Sequence, residues 1–205
     1  MGGVLLKRGQ DGDAPKVLDH FTRSLELDEA LLQANPGSAQ ATRDVSVSLN
    51  KLGRFLATRG QPGDADKALG YFTRSLELIE ALLQANPGSA EATRDVSVSL
   101  DKLGGFLASR RQPGNADKAL GYFTRSLVLR EALLQANPGS AQATRDVVVS
   151  HFTLAGFAAG RGDTQAAGKH RRAIYDLLKP ALARGMTFDP PIMQLYESLK
   201  AQFSK

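Results

Sequence analysis

The stretch RDVSVSLNKLG from Arg43 returns as RDVSVSLDKLG from Arg94 and as RDVVVSHFTLAG from Arg145, and the interval is 51 residues both times. No other feature constrains the fold as much. Each copy must adopt one local structure and bury its apolar face against neighbouring copies, so the chain becomes an array rather than one or two independent globules. Residues 41–91 and 92–142 differ at eight of 51 positions, which marks a recent duplication.

The punctuation divides each copy in two. QPG occurs at Gln61 and Gln112, and NPGS at Asn35, Asn86 and Asn137. Proline disfavours helix in the residue before it, glycine ends helices, and Ser38, Ser89 and Ser140 can each cap the helix that follows. From Asp64 to about Ala85 the apolar residues Ala65, Ala68, Leu69, Phe72, Leu76, Leu82 and Leu83 follow helical spacing, with Asp64 as the expected N-cap. From Ser38 to about Arg59 two readings compete. Val45, Ser46, Val47, Ser48 and Leu49 alternate as a half-buried strand does, whereas Val45, Leu49, Leu52 and Leu56 step by four, three and four along one helix face. In the third copy Val148 replaces Ser97, which destroys the alternation, while Val147, His151, Leu154 and Ala158 continue the helical stripe. The pattern predicts a helix, with β-branched valines lowering its intrinsic propensity slightly. Gly53 and Gly104, mid-helix where glycine costs up to ~1 kcal/mol, predict a close approach by the neighbouring helix near Ala68 and Ala119.

The segment LNKLGRFLATRG…DADKALGYFTRSLEL resembles the tetratricopeptide repeat. Leu49, Leu52, Gly53 and Leu56 fall where that family places its first-helix packing residues, and Ala68, Phe72 and Ser75 match its small-aromatic-small pattern on the second helix. The inserted QPG and a second helix extended through IEALLQAN lengthen the family's 34-residue unit to 51. The resemblance implies an all-α, right-handed α-solenoid of antiparallel helix pairs. About seven long helices are expected, preceded by an N-terminal remnant and closed by a C-terminal capping helix.

The opening GGVLLKRGQDGD aligns with GRFLATRGQPGD from Gly53, so Met1 falls inside a first helix and residues 1–37 read as a truncated repeat, mainly its second helix. Val4, Leu5 and Leu6 would leave the first surface of the stack poorly covered. Complete repeats are expected over 38–88 and 89–139 and a diverged one over 140–186. A capping helix over 187–205 follows, bearing Ile192, Leu195, Tyr196 and Leu199.

Chemistry-bearing motifs are few. With no cysteine the chain has neither disulfides nor thiolate metal ligands, and without a signal pattern or a long apolar run a cytoplasmic, bacterial-type protein is expected. The net charge of +5 is spread through every copy and interleaved with Asp and Glu, which fits solvated helix faces better than a nucleic-acid footprint. His20, His151 and His170 have no second ligand at helical spacing, so no metal is expected, and His151, in place of Leu100, reads as a packing residue. GDTQAAGKH from Gly162 is a poor match to a phosphate-binding loop, RGD at Arg161 is a turn, and KHRR from Lys169 is a solvated basic face. Without a nucleophile–histidine–acid set, the reading is of a non-enzymatic protein with no cofactor and no small-molecule substrate.

The informative signal lies where the near-identical copies differ. Asn50, Arg54 and Thr58 become Asp101, Gly105 and Ser109, stepping by four along one helix face, and the third copy has Phe152, Gly156 and Gly160 there. The family resemblance implies that this face lines a concave groove and contacts ligand peptides; drift on an exposed face is the competing reading. The groove residues expected are Asn50, Lys51, Arg54, Thr58, Asp101, Lys102, Ser109 and Phe152, with Glu26 and Arg130 of the second helices on the opposite, convex side. The function expected is a protein-interaction scaffold that binds a peptide or protein segment. Self-association through the incomplete first repeat is the alternative.

Overall fold

A computed structural model describes residues 13–203, and the predicted remnant before Asp13 lies outside them. Among the described residues the chain forms eight helices and no strand: α1 (Asp13–Ala34), α2 (Ala39–Arg59), α3 (Asp64–Ala85), α4 (Ala90–Ser109), α5 (Asn115–Ala136), α6 (Ala141–Gly160), α7 (Thr164–Ala183) and α8 (Pro190–Phe203). The fold is an all-α helical repeat, and its helices form two compact units, one ending at Phe106 and the other beginning at Leu107. In the first, α2 packs against α1 and α3; in the second, α6 packs against α5 and α7, and α8 packs on α7.

The caps fall where serine precedes the helical run. Ser38, Ser89 and Ser140 Oγ accept from the backbone N–H of Ala41, Ala92 and Ala143, each at 3.1 Å, satisfying a donor that the first turn leaves unpaired. Asp64 does not cap α3 as predicted. Gly63, at φ 81°, occupies the cap position, and the buried Asp64 carboxylate instead accepts Arg59 Nε at 2.8 Å, Arg59 Nη2 at 2.6 Å and the Gln61 N–H at 3.0 Å. A bidentate guanidinium competes successfully for a carboxylate that the tight turn has already turned inward. Arg59 beside it holds the Asp64 carboxyl below the usual carboxylate range.

The strand-like alternation has a helical explanation. Val45 and Leu49 are fully buried on the packing face and Val47 is exposed, so the apolar residues alone follow the helix period. The intervening serines are buried because they bond to neighbouring helices: Ser46 Oγ lies 2.8 Å from Ser75 Oγ, and Ser48 Oγ donates to Asp28 Oδ2 at 2.5 Å. Small hydroxyls at these positions let helices approach while keeping buried polar atoms paired.

An aromatic contact recurs at the repeat interval. Phe21 meets Phe55 with ring centroids 6.0 Å apart, Phe72 meets Phe106 at 5.2 Å, and Phe123 meets Phe157 at 5.5 Å. Each pair joins a second helix to the first helix that follows it, and such ring pairs contribute about 0.5–1.5 kcal/mol beyond area burial. The Phe72 ring also explains Gly53. A Cβ added there would lie 3.0 Å from Phe72 Cζ, so the close approach is made by an aromatic edge rather than by the backbone near Ala68. In the second unit Ile192 and Leu199 of α8 are buried with Ile174, Tyr175 and Leu178 of α7, and the Tyr175 and Tyr196 rings stack at 5.8 Å.

Candidate functional site

The face expected to bind a partner begins on α2. Lys51, Arg54 and Thr58 are exposed, and Thr58 Oγ1 donates back to the Arg54 carbonyl at 2.9 Å. Asn50 departs from the exposed position expected of it. It is 9% exposed, its Nδ2 donates to the Ser46 carbonyl at 2.9 Å and to Ser75 Oγ at 2.7 Å, and its buried Oδ1 has no hydrogen-bond partner. One more polar group thus joins the serine contacts between α2 and α3.

On α4, Asp101 is half-buried and Lys102 is exposed at the surface. Partial shielding of the Lys102 ammonium, with the Arg54 guanidinium as a second cause, pushes its pKa below the ordinary lysine value. Arg54 and Lys102 therefore feel one another within the first unit. In the second unit Ser109 is exposed and Phe152 is 58% exposed, an unusual setting for a phenylalanine on a helix of packed repeats. Phe152 borders a cavity of about 370 Å³ walled by α6, α7 and α8.

Arg130 contradicts the convex placement expected of it. It is 5% exposed, and its Nη1 donates to Ser150 Oγ at 2.7 Å and to the Asp146 carbonyl at 3.4 Å. The position holds Asp28 in the first copy and Ile79 in the second. Asp28 accepts from Ser48, the counterpart of Ser150, while Ile79 is 1% exposed. This copy-to-copy difference is therefore an internal packing change. Glu26 is exposed as expected.

Sequence reasoning missed the contact between two of the histidines. His151 Nδ1 lies 3.0 Å from His170 Nδ1, with ring centroids 5.2 Å apart. One ring must donate and the other accept, so the geometry requires at least one neutral imidazole. Burial, with His170 beside it, pushes His151 down to about 4, and burial also lowers His170. A usable signal was present. Counted from the buried alanines Ala68 and Ala167, His170 occupies the place of Tyr71, as His151 occupies that of Leu49, and Leu49 and Tyr71 share the first unit's core cluster. Among the described residues no group of three or more His, Cys, Asp or Glu side chains is arranged to hold a metal ion. No helix there is long and apolar enough to cross a membrane.

No protein-family model matches the chain, and no curated protein matches it. Solved structures with some likeness include a designed helical repeat protein and two filaments. The crystal structure of the de novo designed helical repeat protein DHR64 shares 15% identity over 93% of this chain and 92% of its own, with a TM-score of 0.34. The DHF79 filament shares 17% over 93% and 100%, with a TM-score of 0.36, and the DHF119 filament 15% over 94% of each, with a TM-score of 0.34.

Proposed function

We propose that the chain is a tetratricopeptide-like scaffold that binds peptide or protein segments on its first-helix face and catalyses no reaction. The observation that carries this reading is Phe152. A large aromatic ring left 58% in water occupies the position where the other copies have Asn50 and Asp101, on the face where near-identical repeats diverge. Exposed aromatic side chains with a cavity beside them are the usual anchors of protein interfaces. Exposed Lys51 and Arg54 add charge to the same face of α2.

The test uses the whole chain and a binder selected from a displayed peptide library, with affinity read by fluorescence anisotropy. Phe152→Ala or Arg54→Glu is expected to weaken the binder by ~10- to 100-fold at unchanged helix content, as interface anchors do. Glu26→Lys and Glu77→Lys, on exposed second-helix positions, serve as controls. Loss of binding in the controls and not in the face variants would place the interface elsewhere.

A second reading, self-association, is favoured by α1. Leu27 and Leu31 are 60% and 56% exposed, whereas their counterparts Leu78 and Leu82 lie at partial burial in the space between α1 and α3. The outer face of α1 could therefore accept α1 of a second copy. Light scattering over a concentration series, with Leu27→Glu as the monomerising variant, distinguishes the two readings.

A further inference from the structure

The cavity beside Phe152 has walls of a definite chemistry. Ala155 and Gly156 on α6, Ile174 on α7 and Leu199 on α8 make its lining predominantly apolar. A Cβ added to Gly156 would meet nothing within 4 Å, so the space opens directly at the helix backbone. Arg54 and Gly105 are the counterparts of Gly156, and only the third copy joins a small residue here to an aromatic at position 152. One formal charge lines the cavity, the exposed guanidinium of Arg171 on α7, and no described acidic side chain forms an ion pair with it. Ser198 and Gln202 supply neutral hydrogen-bonding groups.

An apolar pocket with one unbalanced guanidinium is complementary to an apolar side chain with a carboxylate next to it. We infer that the cavity walled by Phe152, Gly156, Ile174 and Leu199 receives a large apolar side chain of a peptide segment, and that Arg171 binds the carboxylate of an Asp or Glu that follows it. A cavity of about 370 Å³ lies at the small end of the range for ligand pockets and suits one or two side chains. The chain's net charge of +5 favours encounter with acidic segments. This assignment rests on the peptide-binding reading above and specifies which sequence the second unit selects.

The experiment is an array of peptides of the form GSG-X-Z-GSG, with every residue at X and Z, probed with the full chain. Strongest retention is expected for Leu, Ile, Met or Phe at X with Asp or Glu at Z, at least ~10-fold above the same X with Lys at Z. Gly156→Leu fills the cavity with a better helix former and should abolish the preference at X. Arg171→Glu should shift the preference at Z to Lys or Arg. Wild-type retention without this preference, or a preference unchanged in both variants, overturns the assignment. If peptides are retained without it and Arg54→Glu weakens them, the general peptide-binding reading survives; if no peptide is retained, both readings fall.

Discussion

His151 and His170 face each other through their Nδ1 atoms at 3.0 Å, where the first copy sets Leu49 and Tyr71 in one core cluster. Two neutral rings can share that hydrogen bond and two imidazolium ions cannot. Glu131 and Asp176 line, with His151, the adjoining cavity of about 620 Å³.

Acid should therefore destabilise the protein through this pair. His151 is held at about 4 in the folded chain against about 6.5 unfolded, so the unfolded state takes up protons that the folded state refuses. Its contribution is fully present above about pH 6.5 and is lost as pH falls toward 4, with about 2 kcal/mol gone between pH 7 and pH 5. Urea titrations at both pH values measure this. His151→Leu, which restores the residue found at Leu49 and Leu100, should flatten the dependence; an equally steep loss in that variant would place the sensitive groups elsewhere.

Gly53 and Gly70 should respond to alanine with opposite signs. Both sit inside helices, where alanine is favoured by about 1 kcal/mol. At Gly70 an added Cβ meets nothing within 4 Å, so Gly70→Ala should stabilise by ~0.5–1 kcal/mol. At Gly53 it meets Phe72 atoms at 3.0 and 3.1 Å, and that ring is itself packed against Phe106. Overpacking should prevail, leaving Gly53→Ala less stable by ~1 kcal/mol. Thermal melts of the two variants compare them directly.

Arg130→Ile places in the third interval the residue that the second already carries at Ile79. Exchanging a buried cation for an aliphatic chain of fitting volume should leave stability within ~1 kcal/mol of the parent or raise it. Arg130→Ala, which vacates the space and removes the donor to Ser150 Oγ, should cost ~2–4 kcal/mol. A denaturant midpoint for Arg130→Ile as low as that for Arg130→Ala would show the guanidinium itself to be essential.

Removing one whole repeat should leave a folded protein. Deletion of residues 64–114 joins Gly63 to Asn115, preserving the Gly-to-helix junction at which both α3 and α5 begin. Because repeat stability sums over units and neighbour interfaces, the shortened chain should keep cooperative helical unfolding at a lower midpoint. Circular dichroism that shows no helix would contradict this.

The sequence by itself determined what depends on neighbours along the chain. Helix period, serine caps and the Pro-Gly punctuation are local, so the seven long helices and the stripe of Val45, Leu49, Leu52 and Leu56 were legible from spacing, as was α8 with its buried Ile192 and Leu199. Only tertiary structure decided which polar side chains turn inward, because that depends on partners 16 to 29 residues away. Ser46 found Ser75, Arg130 found Ser150, and His151 found His170. Asn50 shows the difference most clearly. Its place on α2 was readable from the helix period, but its burial was decided by the Ser75 hydroxyl on α3, since a buried amide is stable only where another helix supplies a hydrogen-bond partner.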